Sequence, residues 1–101
     1  MEIKANLMFT IIDNVVDIDD VGVKCHYHIN GNDTNSISKI LSKINAQYDG
    51  STKSLVYIYI NDASSFSLVC RIAKGLVNVG FEVEICNVCD GEIESLYTYK
   101  K

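Results

Sequence analysis

Residues 54–88 carry the clearest pattern of secondary structure in this chain. It reads SLVYIYIN (54–61), DASSFSLVCRIAKGLVNVG (62–80) and FEVEICNV (81–88). The first segment is apolar on both faces, which is typical of a central strand. The second repeats apolar residues at helical spacing and stops at Gly80, a residue that often ends helices. The third alternates apolar and polar residues, as a strand with one buried face does. The pattern therefore predicts a strand–helix–strand unit.

Two strands and a helix are predicted upstream of this unit. Residues 4–12 alternate weakly and residues 21–30 alternate well, so we predict a strand over each, the second antiparallel to the first. The acidic stretch 13–20 is predicted to be a connection, with a short strand at 15–18 as the alternative. The first helix carries apolar residues at helical spacing, namely Ile37, Ile40, Leu41 and Ile44.

This order of elements predicts a single α/β domain over residues 1–101. The order β-β-α-β-α-β implies a small two-layer sandwich with a mixed sheet of about 4–5 strands. Both crossovers should be right-handed, and if each continues the sheet in the same direction, both helices cover one face. For residues 90–101 two interpretations stay open, a short helix around 93–97 and an edge strand at 96–99.

Composition narrows the class of protein. The chain has 13 acidic and 9 basic residues and a net charge of −4, which argues against nucleic-acid binding because phosphates require a basic patch. The opening residues show no signal-peptide pattern, and no apolar run approaches the about 20 residues that span a bilayer. We therefore expect reduced cysteines, no membrane partner, and a cytoplasmic protein of a bacterium or of a virus within its host.

The predicted layering leaves one sheet face uncovered. The positions expected on it are Lys24, His26, His28, Tyr57, Tyr59, Glu82 and Glu84, with Asn6, Met8 and Thr10 from the first strand. A half-polar face with tyrosines suits protein contact, because tyrosine offers apolar area with a polar tip. The alternative is a solvated face without a role, since tyrosine is also simply a favourable strand residue.

The second helix carries more apolar surface than one sheet face requires. Its predicted core stripe is Phe66, Val69, Cys70, Ala73 and Val77. Leu68 and Ile72 extend the apolar arc beyond that stripe. Either another part of the chain covers these two residues or a second chain does, and a homodimer through this flank or through the open sheet face is the main alternative.

Cys86 and Cys89 form a C-x-x-C motif, a spacing used in zinc sites and in thiol–disulfide exchange. Cys86 is predicted on the same sheet face as His26 and His28, which would complete a tetrahedral zinc site if the strands lie close together. Thiol exchange suits the motif less, because here it closes a strand rather than opening a helix. The simpler interpretation is two ordinary thiols and two exposed histidines. The run 62–65 before the second helix is predicted to cap that helix, through Asp62 or Ser64.

The segments HINGNDTNSISKILSKI (28–44) and SLVYIYIND (54–62) resemble the strand–helix–strand opening of Clp-type peptidases and crotonase-like enzymes. The resemblance covers roughly a quarter of the chain. Ala63 and Ser64 stand where those enzymes have a glycine pair, so no active-site residue is carried over. The resemblance implies shared α/β patterning.

No catalytic constellation is visible, so we expect neither an enzyme nor a bound cofactor. We expect a protein-binding module that acts by steric contact with a macromolecular partner, in the manner of an inhibitor, an immunity protein or an anti-defence protein of a phage or mobile element. The expected partner-binding residues are Tyr57, Tyr59, His26, His28, Glu82, Glu84, Leu68 and Ile72. The alternatives are a zinc or thiol site at His26, His28, Cys86 and Cys89, and a structural homo-oligomer.

Overall fold

The computed structural model describes residues 7–20, 23–30, 33–47 and 55–99. These residues form six strands and two helices along the chain. Their bounds are β1 (Leu7–Ile12), β2 (Val15–Asp20), β3 (Val23–His28), α1 (Thr34–Gln47), β4 (Leu55–Ile60), α2 (Phe66–Val79), β5 (Glu82–Cys89) and β6 (Glu92–Tyr99). Neither helix is long and apolar enough to cross a membrane, as judged over the described residues.

The strands form one sheet in the order β3-β2-β1-β4-β5-β6. The three central strands, β1, β4 and β5, run parallel, and the outer pairings β3–β2, β2–β1 and β5–β6 are antiparallel. The predicted α/β class and mixed sheet are therefore confirmed. The predicted strand number is too low, because the described part of the chain adds β2 and β6 to the strands that were expected.

β2 occupies the acidic stretch 13–20, so the predicted connection is wrong and the alternative of a strand from residue 15 is confirmed, with the strand extending to Asp20. Its sequence VVDIDD alternates, with Val16 and Ile18 buried and Asp17 exposed. Acidic residues are compatible with a strand when they occupy its solvent face. Because β2 lies between β1 and β3, the expected antiparallel pairing of β3 with β1 is wrong, and these two strands run in the same direction.

β6 returns along β5 after a two-residue turn at Asp90 and Gly91. Their φ angles are 50° and 80°, and positive φ at both central residues is what the tightest hairpin turns require. The alternative of a short helix in this region is wrong, and the edge strand begins earlier than expected, at Glu92. Leu96 is an extra residue in β6, because Ile85 pairs with Tyr97 and the next residue, Cys86, pairs with Ser95.

Both helices cover the same face of the sheet. The strands supply the inner side of the core through Leu7, Phe9, Ile11, Val16, Ile18, Val56, Ile58, Ile60, Val83 and Ile85. The helices supply the other side through Ile37, Ile40, Ile44, Leu68, Val69, Ile72, Ala73 and Leu76. Both crossovers, β3–α1–β4 and β4–α2–β5, advance in the same direction across the sheet. Right-handed crossovers of that kind place their helices on one side.

The apolar flank of α2 is covered within the chain. Leu68 and Ile72 are 3% and 0% exposed, so the expectation that they meet a partner is wrong. The buried stripe is rotated relative to the predicted one, and Phe66 is 62% exposed. The buried stripe differs from the predicted one because α1 packs beside α2, so α2 is covered by α1 as well as by the sheet. At the contact, a Cβ on Gly75 would lie 2.3 Å from Leu41 Cδ1.

The two helices begin differently. Asp33 precedes α1, and its Oδ1 accepts hydrogen bonds from the backbone N–H groups of Asn35 and Ser36 at 3.1 and 3.2 Å. The Ser36 hydroxyl donates to Oδ2 at 2.7 Å. These bonds are the side-chain capping that an Asp placed just before a helix provides. The residue that precedes α2 is Ser65, which makes no side-chain capping bond, so the predicted cap by Asp62 or Ser64 is wrong.

Candidate protein-binding surface

The sheet face opposite α1 and α2 is not covered by any described helix, and we call it the open face. Strand alternation and register assign to it Met8, Thr10, Ile12, Val15, Asp17, Asp19, His26, His28, Leu55, Tyr57, Tyr59, Glu82, Glu84, Cys86, Val88, Ile93, Ser95 and Thr98. Apart from Lys24, all the described positions expected on this face are among them. Lys24 takes the register position opposite Asp19, and Asn6 lies outside the described residues.

Tyr57 and Tyr59 lie at the centre of the open face on β4. Their rings stack, with centroids 6.3 Å apart and an interplanar angle of 16°. Both side chains are partly exposed. Burial is the main cause that raises the pKa of Tyr59, with the neighbouring Cys86, Tyr57 and Glu84 adding to it, so the phenol stays neutral at pH 7. The pair therefore offers flat apolar area and hydroxyl groups to a contacting molecule.

A groove of about 330 Å³ lies beside Tyr59, at the carboxyl ends of the parallel strands. Its lining residues are Thr10, Ile12, Tyr59, Ile60, Asn61, Val88 and Ile93. Three of them are exposed apolar side chains: Ile12 at 39%, Val88 at 37% and Ile93 at 62%. Val88 and Ile93 face each other across the β5–β6 hairpin. This groove was not predicted from the sequence, although Asp90-Gly91 between two alternating segments is a strong hairpin signal.

The connection after β4 is fixed to the β1–β2 turn at the end of this groove. The Ser64 hydroxyl donates to the Ile11 carbonyl at 2.5 Å and accepts from the Asn61 backbone N–H at 3.0 Å. The Asp13 N–H donates to the Ala63 carbonyl at 3.0 Å. Ser64 thus joins β1 to the loop that contributes Asn61 to the groove, and this use of its hydroxyl explains why it does not cap α2.

The β3 edge of the open face carries the two histidines. His26 pairs in register with Asp17 on β2, and its Nδ1 makes a short hydrogen bond with Asp17 Oδ1. The two side chains are 68% and 51% exposed, so the contact is a surface one. His28 is opposite Val15 and is exposed as well. The histidines therefore lie at the far rim of the open face from the groove.

The structure does not bring the zinc candidates together. β3, which carries the histidines, and β5, which carries the cysteines, are four strand spacings or about 19 Å apart. All ligands of one zinc ion lie close to it, at about 2.3 Å for sulfur, so side chains from these two strands do not share an ion. Cys86 and Cys89 are three residues apart on a strand, so they alternate to opposite faces. Burial, and after it Glu84, raises the pKa of the Cys86 thiol, which disfavours the reactive thiolate.

The four cysteines are free thiols. Among the described residues there is no cluster of three or more His, Cys, Asp and Glu side chains arranged to hold a metal ion. The side chains that do gather on the open face are aromatic, aliphatic and carboxylate groups, which suit contact with another molecule.

Comparison of this chain with family models, with curated proteins and with solved structures finds no match.

Proposed function

We propose that this protein is a non-enzymatic binding module that uses the open face to cover a functional surface of a protein partner. The observation that carries the proposal is the stacked Tyr57–Tyr59 pair at the centre of a sheet face that no described helix covers. Tyrosine is enriched at the centres of protein interfaces and often accounts for much of their binding energy. Steric blocking of this kind is how inhibitors and immunity proteins act.

The size of the open face supports the proposal. Six strands spaced by about 4.8 Å, each about 20 Å long, give a face on the order of 500 Å² in projection. A standard interface buries about 800 Å² of accessible surface on each partner. The accessible surface of the open face is larger than its projected area because side chains protrude from it, so the two areas are of the same order. A partner that rests on most of the open face would therefore make a contact of ordinary size.

Within the proposed interface the residues have different roles. Tyr57 and Tyr59 are the central anchors. Glu84 lies next to Tyr57 on β5, and its Oε1 accepts a hydrogen bond from the Ser95 hydroxyl at 2.6 Å, which orients the carboxylate. Glu82, His26 and His28 are exposed and form the polar rim, where individual contacts contribute less than those at the centre.

The experiment that tests this proposal is affinity capture from native lysate with matched variants. Tyr57→Thr combined with Tyr59→Thr removes both rings and keeps residues that favour strands. Phe66→Ser is the control, because it removes an exposed aromatic ring on the helix side of the molecule. The wild type and the control should recover the same partner, and the double variant should not.

Circular dichroism and thermal unfolding of each variant exclude loss of the fold as the cause. A partner that binds the double-tyrosine variant as well as the wild type, and is lost with Phe66→Ser, would show that the helix side is the interface.

A further inference from the structure

Charge is segregated between the two layers of the described molecule. The helices carry four basic residues and no acidic one, the basic residues being Lys39, Lys43, Arg71 and Lys74. The strands and the hairpin turns between them carry the acidic residues Asp13, Asp17, Asp19, Asp20, Glu82, Glu84, Asp90, Glu92 and Glu94. Within that layer Lys24 is the one described lysine or arginine position. The described strands and hairpin turns therefore carry a net negative charge, and the two helices carry a net positive charge.

Carboxylates lie beside residues of the groove and of the tyrosine pair. Asp17 pairs in register with Thr10, and Asp90 belongs to the turn that joins Val88 to Ile93. Glu84 lies beside Tyr57. The groove itself is lined mainly by apolar side chains. The open face thus combines an apolar groove with a rim of carboxylates.

We propose that the open face recognises a basic segment of a protein partner that carries one large apolar side chain. This inference rests on the proposed function and names the chemistry of its partner. The apolar side chain enters the groove, whose volume is at the low end of the about 300–1,000 Å³ of small-molecule pockets and suits one side chain. Lysine or arginine side chains of the segment contact the ring faces of Tyr57 and Tyr59 and pair with Glu84.

Charge also decides against a second copy of this chain as the occupant. Two open faces in contact would oppose carboxylates to carboxylates, which is repulsive. An open face on the helix layer of another copy would be complementary in charge, but such a contact joins different surfaces and yields open filaments unless the rotation happens to close a ring. A basic partner pairs its positive charges with these carboxylates, with no like-charge repulsion and no open-ended assembly.

The test is selection of short random peptides displayed on phage, with the immobilised wild-type chain as the target. The proposal expects enrichment of peptides that combine several Lys or Arg residues with one Phe, Trp, Leu or Ile. The affinity of the enriched peptide is then measured by fluorescence anisotropy at several salt concentrations. Affinity should fall as salt rises, because the screening length shrinks from about 10 Å at 0.1 M to about 3 Å at 1 M.

Two variants and two matched controls locate the bound peptide. Ile93→Ser should weaken binding by about tenfold or more, as loss of an anchor contact does. Phe66→Ser removes an equally exposed apolar side chain, 62% in both cases, from the other side of the molecule and should have no effect. Glu84→Gln should weaken binding by about fivefold. Glu94→Gln makes the same change in charge on the opposite face of the sheet and should leave affinity unchanged.

Several results would overturn this inference. Enrichment of acidic or uncharged peptides, or of none, contradicts the basic segment, and binding insensitive to Ile93→Ser contradicts the groove. Sedimentation showing a dimer that Ile93→Ser dissociates would identify a second copy as the occupant. If a lysate partner still depends on Tyr57 and Tyr59 while the selected peptides are not basic, the proposed function stands and this inference fails.

Discussion

Two short polar side chains, Ser64 and Asp33, fix backbone segments that hydrophobic patterning does not specify. Both lie in sequences rich in turn-forming residues, where several residues have the chemistry to cap a helix. Asp33 does cap α1. Ser64 instead bonds to the carbonyl of Ile11, which is 53 positions away in sequence. Sequence alone does not distinguish these uses, because the choice depends on which distant carbonyl lies within reach.

Ser64→Ala should destabilise the fold by about 1–3 kcal/mol, since it leaves the partly buried carbonyl of Ile11 and the N–H of Asn61 without this partner. Urea unfolding measures the change. Ser67→Ala is the control, because Ser67 is exposed on α2, and its effect should stay within about 0.5 kcal/mol. Equal effects of the two substitutions would refute the bridging role of Ser64.

The cap at Asp33 should make stability depend on pH. Hydrogen bonds from the Ser36 side chain, and then from its backbone N–H, hold the pKa of Asp33 below its ordinary value of 3.8. Because the folded pKa is the lower one, the ionised cap stabilises the fold above pH 3.8, and that stabilisation disappears as the pH falls through the folded pKa.

The difference in unfolding free energy between the wild type and Asp33→Asn should therefore shrink as the pH is lowered from neutrality to below that pKa. Urea unfolding of both proteins across this range measures it. A difference that is the same at every pH would contradict an ionised cap.

Among the strands and helices, hydrophobic periodicity predicted the elements correctly, whereas a high content of acidic residues led away from the correct prediction. α2 and β5 were predicted because their apolar positions repeat with one clear period, and β4 because its apolar run is typical of a central strand. β2 was predicted only as the alternative to a connection because three of its six residues are acidic, although Asp17 and Asp19 alternate with apolar residues. β6 was left open because Leu96 interrupts its alternation, and a bulge of that kind shifts every later side chain to the other face.

The orientation of α2 about its own axis was predicted wrongly, and a pair of truncations tests the orientation described here. Ile72→Ala should cost about 2–5 kcal/mol, because Ile72 is fully buried in the core. Phe66→Ala should cost less than about 1 kcal/mol, because that ring is mostly exposed. Thermal or urea unfolding gives both values. A larger loss of stability for Phe66→Ala than for Ile72→Ala would support the buried stripe predicted from the sequence.

For the molecule as a whole, two crossovers in one direction leave one sheet face without helices, and this consequence followed from the sequence. The positions of Tyr57, Tyr59, His26, His28 and Glu84 on that face were predicted from strand alternation. The groove was not, because it requires Ile93 of β6 to lie beside Val88. The charge difference between the layers likewise becomes visible only when each residue is assigned to its layer.

Chemical-shift mapping of the complex shows whether the open face is the surface that contacts the partner. The isotope-labelled chain is titrated with the partner that the wild type recovers from lysate, and amide resonances are followed by NMR. The largest shifts are expected at Tyr57, Tyr59, Glu84 and Ile93, with little change at Lys39 and Lys74 on the helix layer. Shifts concentrated on the outer surfaces of α1 and α2, with the open face unchanged, would contradict the account.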